Sequence, residues 1–185
     1  SLQGVHQVQN AGLALAAMKM ATPDAFTPAA FNGISQAKWP GRIQELQTGK
    51  LKNVLGSGHP LWLDGAHNAH GAAALVTTLK SLSQQKWIVI FGALNTRPPE
   101  AFFTQIKPVA STIHTLEISG QPAALSAQEL AAAAMSANIP AEPATCLAEA
   151  LARIKQTALP NTPVIICGSL YLAGQVLEEN QTLPD

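Results

Sequence analysis

This sequence has little charge and little cysteine. Charged residues make up 12% of 185 positions, eleven basic against eleven acidic, for a net charge of zero and a pI near 6.9. The basic residues are scattered and no run of one sign occurs. That excludes the clustered Lys and Arg surface required by nucleic acid or an anionic membrane. The two cysteines, Cys146 and Cys167, are not spaced as a metal pair. Both lie in segments that read as interior, the pattern of reduced, buried thiols. No apolar run reaches membrane length and no leader pattern opens the chain, so it reads as cytoplasmic. It opens on Ser1 inside a helix-like pattern, as expected of a piece of a longer protein.

A phosphate cradle is lacking too. "TGKL" at residues 48–51 resembles the end of a P-loop, but Gln44 stands where the upstream glycine belongs and Leu51 where Ser or Thr would bind magnesium. "GSG" at 56–58 lacks the third glycine of a dinucleotide fingerprint. If the protein uses ATP, the triphosphate loop lies outside this chain.

What is plentiful is apolar sequence, 47% of residues, arranged as alternating strands and helices. Residues 5–20 form a helical pattern stopped at Thr22-Pro23-Asp24, and Thr27-Pro28 opens a second short helix. These first 38 residues carry too little apolar surface to fold alone and read as a helical tail of a preceding domain plus a linker. From residue 39 to 185 a second unit follows. "RIQELQ" and "LKNVLGSGHPLWLDGA" read as a hairpin-rich entry with a turn at Gly56–Pro60. "KWIVIFGAL", "STIHTLEIS" and "TPVIICGSL" read as strands, the first and last buried on both faces. Helical patterns begin near residues 71, 98, 126, 146 and 171, and Ser126 with Glu129 makes a capping box. The fold class is therefore α/β, an open, mostly parallel sheet flanked by helices.

Such sheets bind ligands at the carboxyl ends of their strands. Three segments bring polar groups there: Asp64–His70, Gly92–Arg97 and Gly168–Ser169. In the first, Asp64 and His67 bracket a turn. A helix-capping role for Asp64, with His67 bonded to its carboxylate, accounts for the pair as well as ligand binding does. A zinc site from His59, His67 and His70 is disfavoured by spacing and by the absence of a nearby cysteine. Arg42, in the rigid "WPGR" turn, is placed to reach a phosphate across a domain junction, although an isolated arginine is more commonly a solvated one.

"HQVQNAGLALAA", "WPGRIQEL", "LDGAHNAHGAAAL" and "ICGSLYLAGQVL", in this order and at these separations, closely resemble the carboxyl-terminal part of the folylpolyglutamate synthases, including their bifunctional dihydrofolate synthase form, within the Mur ligase superfamily. The resemblance runs from about residue 3 to residue 178. It implies a Rossmann-like Mur ligase C-terminal domain over 39–185, preceded at 1–38 by a helical remnant of the central ATP-binding domain. It further implies an ATP-dependent amide ligase in which a carboxylate becomes an acyl phosphate and the amine of L-glutamate displaces phosphate. The acceptor would be dihydropteroate or a folate polyglutamate. ATP would lie between this chain and its own N-terminal ATPase domain, which would also hold most of the Mg2+, so the fragment would not turn over alone. The matching motif positions imply that Asn10, Arg42 and Asp64 bind the nucleotide. Arg42 and His67 would serve catalysis, and His67 and Ser169 would hold glutamate. No metal ligand is assigned here. The sequence departs from the family where an acid-lysine-acid trio is usual: Thr96, Arg97 and Pro98 stand there, so both acids are lost. A Mur-type domain acting on another acid, or a non-catalytic nucleotide-binding module, are the competing readings.

Overall fold

In the computed structural model, residues 4–37 and 39–182 are described. Lys38, at the boundary that the sequence places between the two units, falls outside them. Every residue of β3 (Trp87–Phe91) is buried, as expected of a strand covered on both faces. It pairs in parallel with β4 (Ala110–Thr115) on one side and β6 (Val164–Cys167) on the other. β6 continues to β2 (Leu61–Leu63), and β4 to β5 (Ala141–Pro143), also in parallel. Among the described strands only β1 (Gln44–Glu45) runs antiparallel, against β2, and the order is β1-β2-β6-β3-β4-β5. The open, mostly parallel sheet expected from the sequence is present.

Alternate strand residues divide the core into two layers. Val89, Phe91, Ile165 and Cys167 face the layer covered by α4 (Ala69–Leu82), α5 (Glu100–Ile106) and α6 (Ala127–Ser136). Ile88, Ile90, Val164 and Ile166 face the layer covered by α3 (Lys50–Leu55), α7 (Leu147–Thr157) and α8 (Leu170–Glu179). The capping box at Ser126 and Glu129 forms as expected. α1 (Val5–Ala21), a short 3-10 turn at Pro23–Ala25 and α2 (Pro28–Gln36) form the helical segment, with Thr27 and Pro28 opening α2. No helix among the described residues is long and apolar enough to cross a membrane.

Two expectations are corrected, and one strand is present that the sequence did not indicate. "LKNVL" is the helix α3, not a strand: Leu51 and Leu55, four apart, are both buried, and Asn180 caps its start from the far end of the chain. The Asn180 side-chain oxygen accepts from Leu51 N (2.9 Å) and Lys52 N (3.2 Å). β1 and β2 do pair as a hairpin would, but α3 lies between them. β5, with Pro143 in it, is a short sheet-edge strand that propensity disfavours and the edge position tolerates. Finally, Cys146 is exposed at the start of α7, where its sulfur caps Glu149 N, whereas Cys167 is buried; both are free thiols.

Candidate functional site

β2, β6 and β3 are neighbours, so the turns that follow them emerge side by side. Asp64 N donates to Ile166 O (2.9 Å), Gly168 N to Ala66 O (2.8 Å) and Gly92 N to Cys167 O (3.3 Å), lacing the three together. Gly168 has φ 115°, and a Cβ there would overlap the Gly92 carbonyl and the Phe91 ring. Glycine is what lets the ends of β6 and β3 approach this closely.

Asp64 is 6% exposed, and its carboxylate joins two turns. One oxygen accepts from Ile43 N (2.9 Å) and the other from Ala66 N (2.7 Å). Gly65 N donates to Gly41 O (2.7 Å) beside them. Ile43 sits at φ 46°, a conformation that a β-branched residue adopts only when its surroundings impose it. The carboxylate therefore holds the strained Gly41-Arg42-Ile43 turn, and with it the base of Arg42. Asp64 does not cap α4. Asn68 does, its oxygen accepting from Gly71 N (2.8 Å). Nor does His67 bond to Asp64: its Nδ1 meets Gly65 O at 2.9 Å. A carbonyl only accepts, so Nδ1 carries the hydrogen and the exposed ring keeps an acceptor lone pair on Nε2 in its neutral form.

Two clefts share a ridge made by His67, Asn68 and His70. The narrow one, about 240 Å3, brings together Asn10, Arg42, Asp64 and His67, four of the five site residues expected from the sequence. The wide one, about 690 Å3, contains the fifth, Ser169, with Thr96 and Arg97. Ser169 is buried and starts α8, its Oγ accepting from Tyr171 N (3.1 Å) and its O–H left to donate. Arg97 is exposed and makes no hydrogen bond or ion pair with any described residue, so its charge is available to a ligand. Cys167, at the end of β6, is no nucleophile: burial first, then the Asp64 carboxylate, pushes its thiol well above the ordinary range. Among the described residues no group of three His, Cys, Asp or Glu side chains could hold a metal ion. Magnesium is usually held by one or two carboxylates together with substrate phosphates, and at the narrow cleft the Asp64 carboxylate is already committed to the Ile43 and Ala66 N–H groups.

Sequence reasoning missed the part of His70 in the ridge and the apolar lining of the wide cleft. That lining includes Phe91, Leu94, Phe102, Leu170 and Tyr171, drawn from separate elements. The only sequence signal was the pair of large apolar residues directly after Ser169.

Residues 51–170 match the family model for the Mur ligase, glutamate ligase domain. The folylpolyglutamate synthase of Lacticaseibacillus casei is 30% identical over 179 residues, covering 95% of this chain and 38% of the relative. The dihydrofolate synthase/folylpolyglutamate synthase of Bacillus subtilis is 28% identical over 181 residues, covering 95% of this chain and 39% of the relative. The crystal structure of Mycobacterium tuberculosis folylpolyglutamate synthase complexed with ADP and AMPPCP superposes on all of this chain and 42% of that one, with a TM-score of 0.82 at 25% identity. The chain thus spans about two-fifths of the length of these relatives. With the family model matched across its central 120 residues and an open α/β sheet beneath them, the chain belongs to the Mur ligase family, as its glutamate ligase domain.

Proposed function

We propose that this chain is the amino-acid-adding half of an ATP-dependent ligase that joins L-glutamate to dihydropteroate or to a folyl-polyglutamate. Residues 1–38 would be the helical end of the ATP-binding domain and 39–185 the ligase domain proper. The observation that carries the reading is the convergence of Asn10, Arg42, Asp64 and His67 on one cleft that adjoins the cleft of Arg97 and Ser169.

In this reading the narrow cleft takes ATP. Arg42 meets its phosphates, Asn10 and Asp64 bind the nucleotide, and Asp64 also holds the Arg42 turn in place. His67 stands where the two clefts meet, beside the acyl phosphate, with Nε2 available to the incoming ammonium or the departing phosphate. The wide cleft takes glutamate, with Ser169 donating and Arg97 meeting a carboxylate. Magnesium and the triphosphate loop come from the preceding ATPase domain. The chemistry asked of this chain is then positioning and charge stabilisation.

The test has two parts. The 185-residue chain should bind ADP without turning over. The enzyme that carries this chain should release ADP from ATP only with magnesium, glutamate and a pteroate or folate acceptor. There, Arg42→Ala or Asp64→Ala should cost at least about tenfold in kcat/KM, the loss of a phosphate-stabilising group. Wild-type activity in both variants would sink the site assignment. The loss of both acids around Arg97 favours a second reading, a binding-only module; nucleotide binding without ADP release in the full enzyme would establish it. Release with a different acid acceptor would instead point to another Mur-type substrate.

A further inference from the structure

Two glycines flank Arg42 in space, and α8 packs on both. Ala173 Cβ lies 3.3 Å from the position a Cβ on Gly41 would take. One turn earlier in α8, a Cβ on Gly65 would overlap the end of the Leu170 side chain and lie 3.5 Å from Arg42 Nη1. Residues three apart share a helix face. The face that seats the Gly41 turn through Ala173 therefore ends in a leucine beside the Arg42 guanidinium. Gly65 is tied to the same turn, its N–H donating to Gly41 O at 2.7 Å.

The core does not need Leu170. It is 49% exposed and belongs to neither layer of the core, whereas Ala173 is buried. Leu170 lines the wide cleft and not the narrow one, and Arg42 lines the narrow cleft and not the wide one. The leucine is thus a partition, with Gly65 and Arg42 on one side and the wide cleft on the other. An apolar neighbour keeps water from one side of a guanidinium, so its charge acts through a lower dielectric and is screened less by salt. A neighbour also limits where the long side chain can go, and an arginine held in place loses less entropy when an anion arrives.

Resting on the ligase reading above, we propose that Leu170 is a positioning residue for Arg42. It touches the guanidinium and not the nucleotide, holds that charge toward the narrow cleft and closes it off from the wide one. Gly65 provides the seat, because any side chain there would occupy the place that Leu170 takes.

The test is a double-mutant cycle, read by calorimetric titration of ADP into the 185-residue chain. Arg42→Ala should weaken ADP about tenfold and Leu170→Ala about threefold, the share of the arginine's effect that depends on its cover. In the Arg42→Ala background, Leu170→Ala should change nothing, whereas a leucine that only supports the fold would cost the same in both backgrounds. Gly65→Ala, which displaces Leu170 without removing it, should reproduce the loss seen in Leu170→Ala. Leu170→Met, long enough to cover the guanidinium, should keep wild-type affinity. Raising salt from about 0.05 to about 0.5 M should weaken ADP binding more in Leu170→Ala than in the wild-type chain. Equal losses in the two backgrounds, wild-type affinity in Leu170→Ala, or an unchanged salt dependence would each overturn the proposal. Arg42→Ala separates the two levels. If it weakens ADP while Leu170→Ala does not, only the positioning role falls. If ADP binding is absent or does not depend on Arg42, the phosphate role of Arg42 falls and takes this proposal with it.

Discussion

The two clefts meet at one ridge yet are built on opposite principles. The narrow cleft is a polar construction, in which the Asp64 carboxylate holds two turns together so that Arg42 projects from a strained and over-determined backbone. The wide cleft is a packing construction, in which glycine at 168 lets two strand ends close up and aromatic side chains line the space left beside them. Hydrogen bonds position the first and steric fit positions the second, so the two should fail differently.

The largest effect is expected at Gly168. Gly168→Ala puts a Cβ into the Gly92 carbonyl and the Phe91 ring at a backbone φ of 115°. Strain and overpacking together should cost about 3 kcal/mol, read as a fall in the urea midpoint. Next comes Asp64→Ala, which strands the N–H groups of Ile43 and Ala66, for roughly 2 kcal/mol or more. Asp64→Asn keeps one of the two acceptors and should lie between. If Asp64→Ala melts like wild type, the carboxylate is not what holds the Arg42 turn.

A smaller, sharper break separates the clefts by charge. Arg42→Ala should weaken ADP binding about tenfold with little change in melting, since a half-buried arginine at a cleft contributes mostly to its ligand. Arg97→Ala should leave ADP binding as it was. Calorimetric titration of both variants with ADP decides the matter, and equal losses would merge the two clefts into one site.

How far this was legible in the sequence follows from the range of each interaction. β3 and β6 are unbroken apolar runs, and the Ser126–Glu129 capping box spans four residues, so periodicity and local chemistry reveal them. Arg42, Asp64 and Ser169 stand out in the sequence because each sits in a short motif at a strand end or turn. The reason Asp64 is acidic was not legible. Its partners at Ile43 and Ala66 are backbone groups, one of them 21 positions away, and backbone leaves no trace in residue identity. α3 was mistaken for a strand because its cap, Asn180, is 129 positions from Leu51. The wide cleft was invisible for the same reason, since loops after β2 and β3, α5 and the start of α8 each supply a small part of its wall.

The smallest effect serves as a control at a residue that lines neither cleft. His114, on β4, is 5% exposed and its Nδ1 has no hydrogen-bond partner among the described residues. Burial lowers its pKa, while Glu142 pulls it up and Arg153 pushes it further down. The folded protein therefore binds fewer protons here than the unfolded chain. Stability from this group is complete above the unfolded pKa, near 6.5, and is lost as pH falls below it. Melting should drop between pH 7.5 and 5.5, and His114→Gln should flatten that slope. Glu149 does not confuse the reading: the Thr145 hydroxyl first, then the Thr145 backbone N–H, holds it at about 2, far below the window. ADP binding compared at the two pH values should show the same ratio in His114→Gln and wild type. A change in that ratio caused by His114 alone would mean that β4 communicates with the ridge between the two clefts.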